Sequence, residues 1–283
     1  MKKQQIIVSG SGIILLFILY FFGSTVPPLK KPPSPLTSGS GTQLLDIKTI
    51  LDAAKSKMSP GRLAYISRLE NAVVRGDVKN QQIAANHQMA VFWRDSVEDG
   101  FLAYAYYTAE AAKLENREKS LTFAAQLFLN NLRGQANPAL KIWMASQSRD
   151  LFERAEKLNP ENDSTKIGLG ATYIFGNTGD PSDVMKGIQQ ILEVTRKDSL
   201  NMYAQLTLGL GGMESGQYEK AIQRFLKVIH FDPQNLVALL NLGEAYERLG
   251  NMASARIWYN EAKKLTNSQD LIDAIDERLK SLK

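Results

Sequence analysis

The 283-residue chain has no cysteine and only two histidines. The first absence excludes a disulfide framework, a thiol nucleophile, a thiolate zinc site and a lipidated-cysteine anchor. The second nearly excludes a metal site built on imidazole. His87 and His230 have no second histidine at ligand spacing, and no His-Glu-x-x-His pattern occurs. Both are read as surface or half-buried histidines of helical pairs. A Ser-His-Asp set cannot be assembled without arbitrary choices. Glycine clusters at Gly168-Leu169-Gly170 and Gly209-Leu210-Gly211-Gly212 follow no strand pattern, so a phosphate cradle is disfavoured. Cofactor and metal are therefore both expected to be none, and no catalytic residue is assigned.

An excess of one charge is missing from most of the chain as well. The formal net charge is +5, but Lys2, Lys3, Lys30 and Lys31 stand in a stretch, 1–43, that has no acid. Without them the 34 basic residues fall to 30 against 29 acidic ones, and the signs alternate along 44–283. A broad phosphate-binding face needs clustered cations, so no nucleic-acid partner is expected. Carboxylates such as Asp180 and Asp183 are read as helix-start residues, where they meet free amides and the positive dipole end.

Against these absences stands one long apolar run. Ile6 to Phe22 is interrupted only by Ser9, Gly10, Ser11 and Gly12, and no charge occurs between Lys3 and Lys30. At about 1.5 Å per residue the run and its uncharged neighbours approach bilayer thickness. Aromatics gather at its C-terminal end, as at a membrane interface. Phe22-Gly23-Ser24 puts a ring where signal-peptide cleavage wants a small side chain, which favours an uncleaved anchor over 1–23. Lys2 and Lys3 favour an inner N-terminus and an extracytoplasmic, periplasmic-like remainder; Lys30 and Lys31 oppose it. Residues 24–42 carry five of the ten prolines and read as an extended spacer, up to about 60 Å long.

No strand alternation is found from Gln43 onward. Apolar residues recur at helical spacing, and Pro60, Pro138, Pro160, Pro181 and Pro233 fall at gaps between the periodic runs. The spacing predicts helices over 44–58, 60–75, 78–95, 98–115, 118–132, 138–158, 163–176, 181–197, 200–215, 217–231, 235–249, 251–265 and 268–282. The fold class is all-α. Phe92, Trp93, Phe101, Tyr104, Tyr106 and Tyr107 are read as the core of the divergent N-terminal helices, 43–117.

Within the helices there is a 34-residue repeat. Leu208-Gly209 returns as Leu242-Gly243, Ala221 as Ala255, Phe225 as Tyr259 and Val228 as Ala262. The small residues are expected to let paired helices approach, and the aromatic to wedge into the next pair. A weaker unit carries Leu169-Gly170-Ala171-Thr172-Tyr173, with Gly187 and Ile191 in the alanine and aromatic slots after an inserted loop. Farther upstream, Phe152, Ala155 and Pro160 fit a second helix whose partner holds Ala124 and Phe128. These residues, with Leu242-Gly243-Glu244-Ala245-Tyr246, Ala221…Phe225 and Pro233, resemble the tetratricopeptide (TPR) repeat family. The resemblance covers 118–267, clearest over 163–200, 201–235 and 236–267; 268–283 is read as a capping helix.

The resemblance implies a right-handed superhelix of antiparallel helix pairs with a concave face lined by first helices. By it, a partner-binding groove comprises Ile167, Ala171, Tyr203, Leu206, Leu210, Met213, Val237, Leu240, Asn241 and Glu244. The implied function is a membrane-anchored scaffold or adaptor that holds a protein or peptide segment, without catalysis. Two alternatives remain at this level. One is an enzyme or regulatory subunit with a pocket in 60–160 around His87, Trp93 and Tyr104. The other is a self-associating membrane organiser using Ser9-Gly10-Ser11-Gly12 as a packing face, so a homo-oligomer stays open.

Overall fold

The computed structural model describes residues 46–75, 78–97, 100–176 and 181–282. The chain divides into units 1–43 and 44–283, and every described residue belongs to the second. The expected anchor over 1–23 and spacer over 24–42 lie outside the described residues. None of the described helices is long and apolar enough to cross a membrane.

The described residues form thirteen helices and no strand: α1 (Ile47–Lys55), α2 (Pro60–Arg75), α3 (Lys79–Ser96), α4 (Phe101–Glu115), α5 (Glu118–Leu132), α6 (Pro138–Leu158), α7 (Asp163–Phe175), α8 (Pro181–Lys197), α9 (Met202–Glu214), α10 (Tyr218–Phe231), α11 (Leu236–Arg248), α12 (Met252–Lys264) and α13 (Gln269–Ser281). Their limits follow local chemistry. Side chains of Asn137, Asn162, Asn201, Asn235 and Asn251 accept backbone amides at the starts of α6, α7, α9, α11 and α12. Each such cap is worth about 1 kcal/mol. Pro138 opens α6 where its missing N–H costs no helical bond. Gly216 and Gly250, 34 positions apart, take φ of +72° and +76° in the turns after α9 and α11. A side chain there would be strained, so glycine ends both helices.

The helices pack as hairpins: α3 with α4, α5 with α6, α7 with α8, α9 with α10 and α11 with α12, followed by α13 against α12. This is an all-helical TPR-like solenoid. Its pairing reaches upstream into 43–117, where the sequence motif is weak. There Ala111 and Ala112 are buried like Ala155 one hairpin later, because a small side chain is all that a close helix contact requires.

Burial explains the stack. The largest core joins α4 through α9 around Phe128, Leu151, Phe152, Ile167 and Ile191, all fully buried. A second core, around Ile66, Met89 and Trp93, ties α1 and α2 to α3 and α4. Phe92, Tyr104 and Tyr106 flank that core and Phe101 flanks the first, so the aromatic group packs structure rather than lining a closed pocket. Two further cores centre on Phe225 with Leu242, and on Tyr259 with Ile275 and Leu282 of the capping segment. Each large side chain removed from water contributes about 1.5–3 kcal/mol.

Candidate functional site: the first-helix face

The repeat glycines stand close against the facing helix of their hairpin. A methyl on Gly209 would lie 2.5 Å from the Phe225 ring, and one on Gly243 2.7 Å from the Tyr259 ring. The aromatic therefore sits on the glycine of its own hairpin, not chiefly in the next one as expected. The alanine meets a different residue: Ala221 Cβ is 3.1 Å from where a Gly212 methyl would stand. The aromatic lies one turn beyond the alanine on the same face of α10, which brings it opposite the Leu-Gly pair. In the upstream unit a Gly170 methyl would lie 2.6 Å from Ile191 Cγ1 and 2.8 Å from the Gly187 carbonyl. Ile191 thus takes the aromatic slot, and two glycines bring the backbones of α7 and α8 together. Leu169, Tyr173, Leu208, Leu242, Tyr246, Ala255 and Ala262 all lie buried or half-buried in the hairpin contacts.

The predicted groove is not continuous. In α7, Thr165 and every residue from Ile167 to Phe175 are buried, so Ile167 (0% exposed) and Ala171 (2%) offer no surface. The reason is composition. Gly168, Gly170 and Ala171 allow neighbours to close on all sides, and the hydroxyls satisfy themselves locally. Thr165 donates to Glu118 of α5 at 3.3 Å, Ser148 Oγ of α6 pairs with Thr172 Oγ1 at 2.9 Å, and Thr172 also donates to the Gly168 carbonyl at 2.9 Å. Across α7, α5 and α9 are joined by their own side chains. Tyr203 Oη donates to Gln126 Oε1 at 3.5 Å, and Arg133 Nε donates to Glu214 Oε1 at 3.3 Å. The Arg133 guanidinium also lies 5.6 Å from the centre of the Phe175 ring. Burial pushes the Tyr203 phenol pKa up.

Two stretches stay open. The first runs along α9 and α11. Tyr203 and Val237 occupy one repeat position, 34 residues apart, and are 37% and 45% exposed. Leu206 and Leu240 follow at the next shared position, half-buried, with Leu210 and Met213 beyond them. Glu244 is half-buried and accepts from Arg248 at 3.2 Å. Asn241 departs from the expectation: it is buried and donates to the Val237 carbonyl at 2.7 Å, because its place on α11 faces inward with Leu242.

The second open stretch is a cleft of about 440 Å³ between α3 and α5 over α4. His87 Nε2 lies 2.7 Å from Glu115 Oε1, and Ser120 donates to the other carboxylate oxygen. The Ser120 hydrogen bond, with His87 beside it, holds the Glu115 carboxyl below its usual range despite partial burial. Val91 and Phe123, 47% and 54% exposed, line the rim. A pocket enzyme around His87, Trp93 and Tyr104 needed several carboxylates converging in an enclosed space. The structure brings His87 to one carboxylate in an open cleft and buries Trp93 in the core at 1% exposure. His230 is exposed and stacks edge-on against Phe231, 4.8 Å between ring centres. Among the described residues, no three acidic or imidazole side chains gather as a metal site.

Two further features of this surface are visible in the sequence: the asparagines Asn162, Asn201 and Asn235 that open successive first helices, and the glycine pair at 216 and 250. The periodicity of polar and turn residues carried the same 34-residue signal as the apolar ones.

Two family models match within the C-terminal hairpins. Residues 213–250 match a family model described as TPR repeat, and 236–269 one described as Tetratricopeptide repeat. No curated protein matches the chain. Solved structures with a similar course include MamA from Desulfovibrio magneticus RS-1, 19% identical, covering 66% of this chain and 97% of that one, with a TM-score of 0.44. Another is YrrB, described as a TPR protein with an unusual peptide-binding site, 14% identical, covering 74% and 97%, with a TM-score of 0.42. A protein from Parabacteroides merdae ATCC 43184 is 15% identical, covers 76% and 84%, and has a TM-score of 0.41. By the family models alone, residues 213–269 of the chain match tetratricopeptide repeats.

Proposed function

We propose that this chain is a membrane-tethered scaffold that performs no chemical step. Residues 1–23 anchor it, 24–42 set its distance from the bilayer, and the helical unit faces the extracytoplasmic side. The open first-helix face of α9 and α11 receives an amphipathic helix from a partner protein. One observation carries the reading: exposed apolar side chains recur there with the repeat, Tyr203 above Val237 and Leu206 above Leu240. A ladder of apolar positions on neighbouring parallel helices suits the i, i+3, i+4 face of a bound helix. The groove is shorter than a full superhelix would offer, since α7 contributes no surface to it.

A photo-crosslinking residue placed at 237 in the full-length chain, within intact membranes, tests this. Adducts at 237 should fall several-fold when Tyr203→Ala is added, and a probe at the outer Leu226 should give none of them. Adducts that survive Tyr203→Ala, or that appear equally at 226, overturn the site. A product twice the mass of the chain would identify self-association instead. Protease access to the C-terminal region in sealed vesicles tests the orientation.

A further inference from the structure

On the other side of the array lies a cleft of about 540 Å³, walled by α8 and α10 with α9 as its floor. One wall is basic. Lys220, Arg224 and Lys227 line the cleft from one face of α10, and no carboxylate contributes to its lining. None of the three forms an ion pair among the described residues. Lys220 Nζ donates to Gln217 Oε1 at 2.8 Å, and Arg224 donates to Gln205 Oε1 at 2.6 Å. Lys227 has no polar partner among the described residues. Two of the cations are therefore positioned by neutral amides, which fix their direction and leave their charge uncompensated. Gln205 is itself 1% exposed and anchored, donating to the Ser199 carbonyl at 2.8 Å. The opposite wall, Ile188 and Leu192, and the floor at Leu208 are apolar.

The repeat provides an internal control. One period later the same positions hold Leu239, Ser254, Trp258 and Glu261 in place of Gln205, Lys220, Arg224 and Lys227. The hairpin fold therefore does not need this set. The neighbouring cleft between α6 and α8 has mixed charge, with Glu153, Glu156 and Glu193 facing Lys157, Lys166 and Lys186. Of these two clefts, only the α8–α10 one is lined by cations with no carboxylate.

The geometry points to this cleft as a docking site for an extended acidic segment of a partner protein, in which carboxylates alternate with apolar side chains. Along α10 the cations are separated by about 6 and 4.5 Å of helix rise. Alternate side chains of an extended strand stand about 6.6 Å apart on one side and turn their neighbours to the other. Acids can thus meet the α10 wall while apolar residues meet Ile188, Leu192 and Leu208. A recessed trough fits such a strand better than a flat bilayer, and three cations are few for a nucleic-acid track. The site is independent of the first-helix face.

A labelled peptide of alternating glutamate and leucine, titrated by fluorescence anisotropy into the full-length chain in detergent, tests the assignment. Binding should be saturable and should weaken as salt rises. The variant Lys220→Gln/Arg224→Gln, the first position exposed and the second half-buried, should weaken it about ten-fold or more, the size expected for lost close charge pairs. Gln205→Leu, which substitutes the residue found one repeat later, should weaken it less by releasing Arg224, and Tyr203→Ala should leave it unchanged. No saturable binding by the unaltered chain, equal binding by the double variant with native circular dichroism, or equal binding of a lysine–leucine peptide each overturns the proposal. So does tighter binding of a single-stranded oligonucleotide that the double variant loses.

Discussion

The hairpins α7/α8 and α11/α12 begin from one motif, Leu169-Gly170 and Leu242-Gly243, and end in different environments. In the first, glycine meets glycine across the hairpin, and the remaining faces of α7 carry glycine, alanine and threonine, so α5, α6 and α9 all close upon it. In the second, glycine meets the Tyr259 ring, and the outward positions carry Val237, Glu244 and Arg248, which keep neighbours away. The motif sets how a hairpin closes. The residues between motif positions set how much of it remains available to a partner.

The comparison can be broken most forcefully in the interior. Phe152 is fully buried, and Gly168 of α7 stands directly against its ring. Phe152→Ala should cost about 3–5 kcal/mol in urea unfolding. A loss under about 1 kcal/mol would mean that the interior is looser than the C-terminal hairpins. The glycines sharpen the contrast next. Gly170→Ala must push against backbone and should cost about 1–3 kcal/mol. Gly243→Ala presses on the side chain of Tyr259 and not on backbone, and both variants gain the same helix propensity of about 1 kcal/mol, so its net loss should be the smaller of the two. Equal losses in the two variants would erase the distinction between the hairpins.

Alkaline pH separates them differently. Tyr259 is buried and donates to Glu247 at 3.1 Å, and burial together with that carboxylate raises its phenol pKa to about 12. The phenol is near 10 in the unfolded chain, so the folded state holds its proton longer. The resulting stability is complete below about pH 10 and lost as pH rises towards about 12, up to about 2 kcal/mol. Tyr259→Phe should flatten that part of the stability–pH curve; an unchanged slope would remove Tyr259 as its source. Capping gives a smaller effect. Asn162→Ala and Asn235→Ala should each cost about 1 kcal/mol at the cap, with more at Asn162, whose side-chain amide also donates to Glu118 of α5 at 2.7 Å. Smallest of all is the strap across α7. A double-mutant cycle on Arg133 and Glu214, both partly exposed, should give a coupling below about 1 kcal/mol. A larger value would make the closure of α7 depend on the strap more than on small residues.

Much of this was legible residue by residue. Helix limits at Pro60, Pro138 and Pro181, the hairpin glycines, and the capping face of Leu271, Ile275 and Leu279 all depend on neighbours a few positions apart. The candidate site was only half legible. Tyr203, Leu206, Val237 and Leu240 keep the positions assigned by the repeat. Ile167, Ala171 and Asn241 do not, since burial depends on what approaches from elsewhere. The basic set on α10 was invisible as a patch because opposite charges surround it in sequence but not in the cleft.

By itself, then, the sequence determined an all-helical chain, its 34-residue register and the pairing of helices, because caps, turns and hairpin contacts are local. Only the tertiary structure decided which face stays open. Closure over α7 joins Gln126 to Tyr203 and Arg133 to Glu214, contacts 77 and 81 positions apart. Contacts at that separation follow from the accumulated stacking of several hairpins, and no single motif encodes that sum.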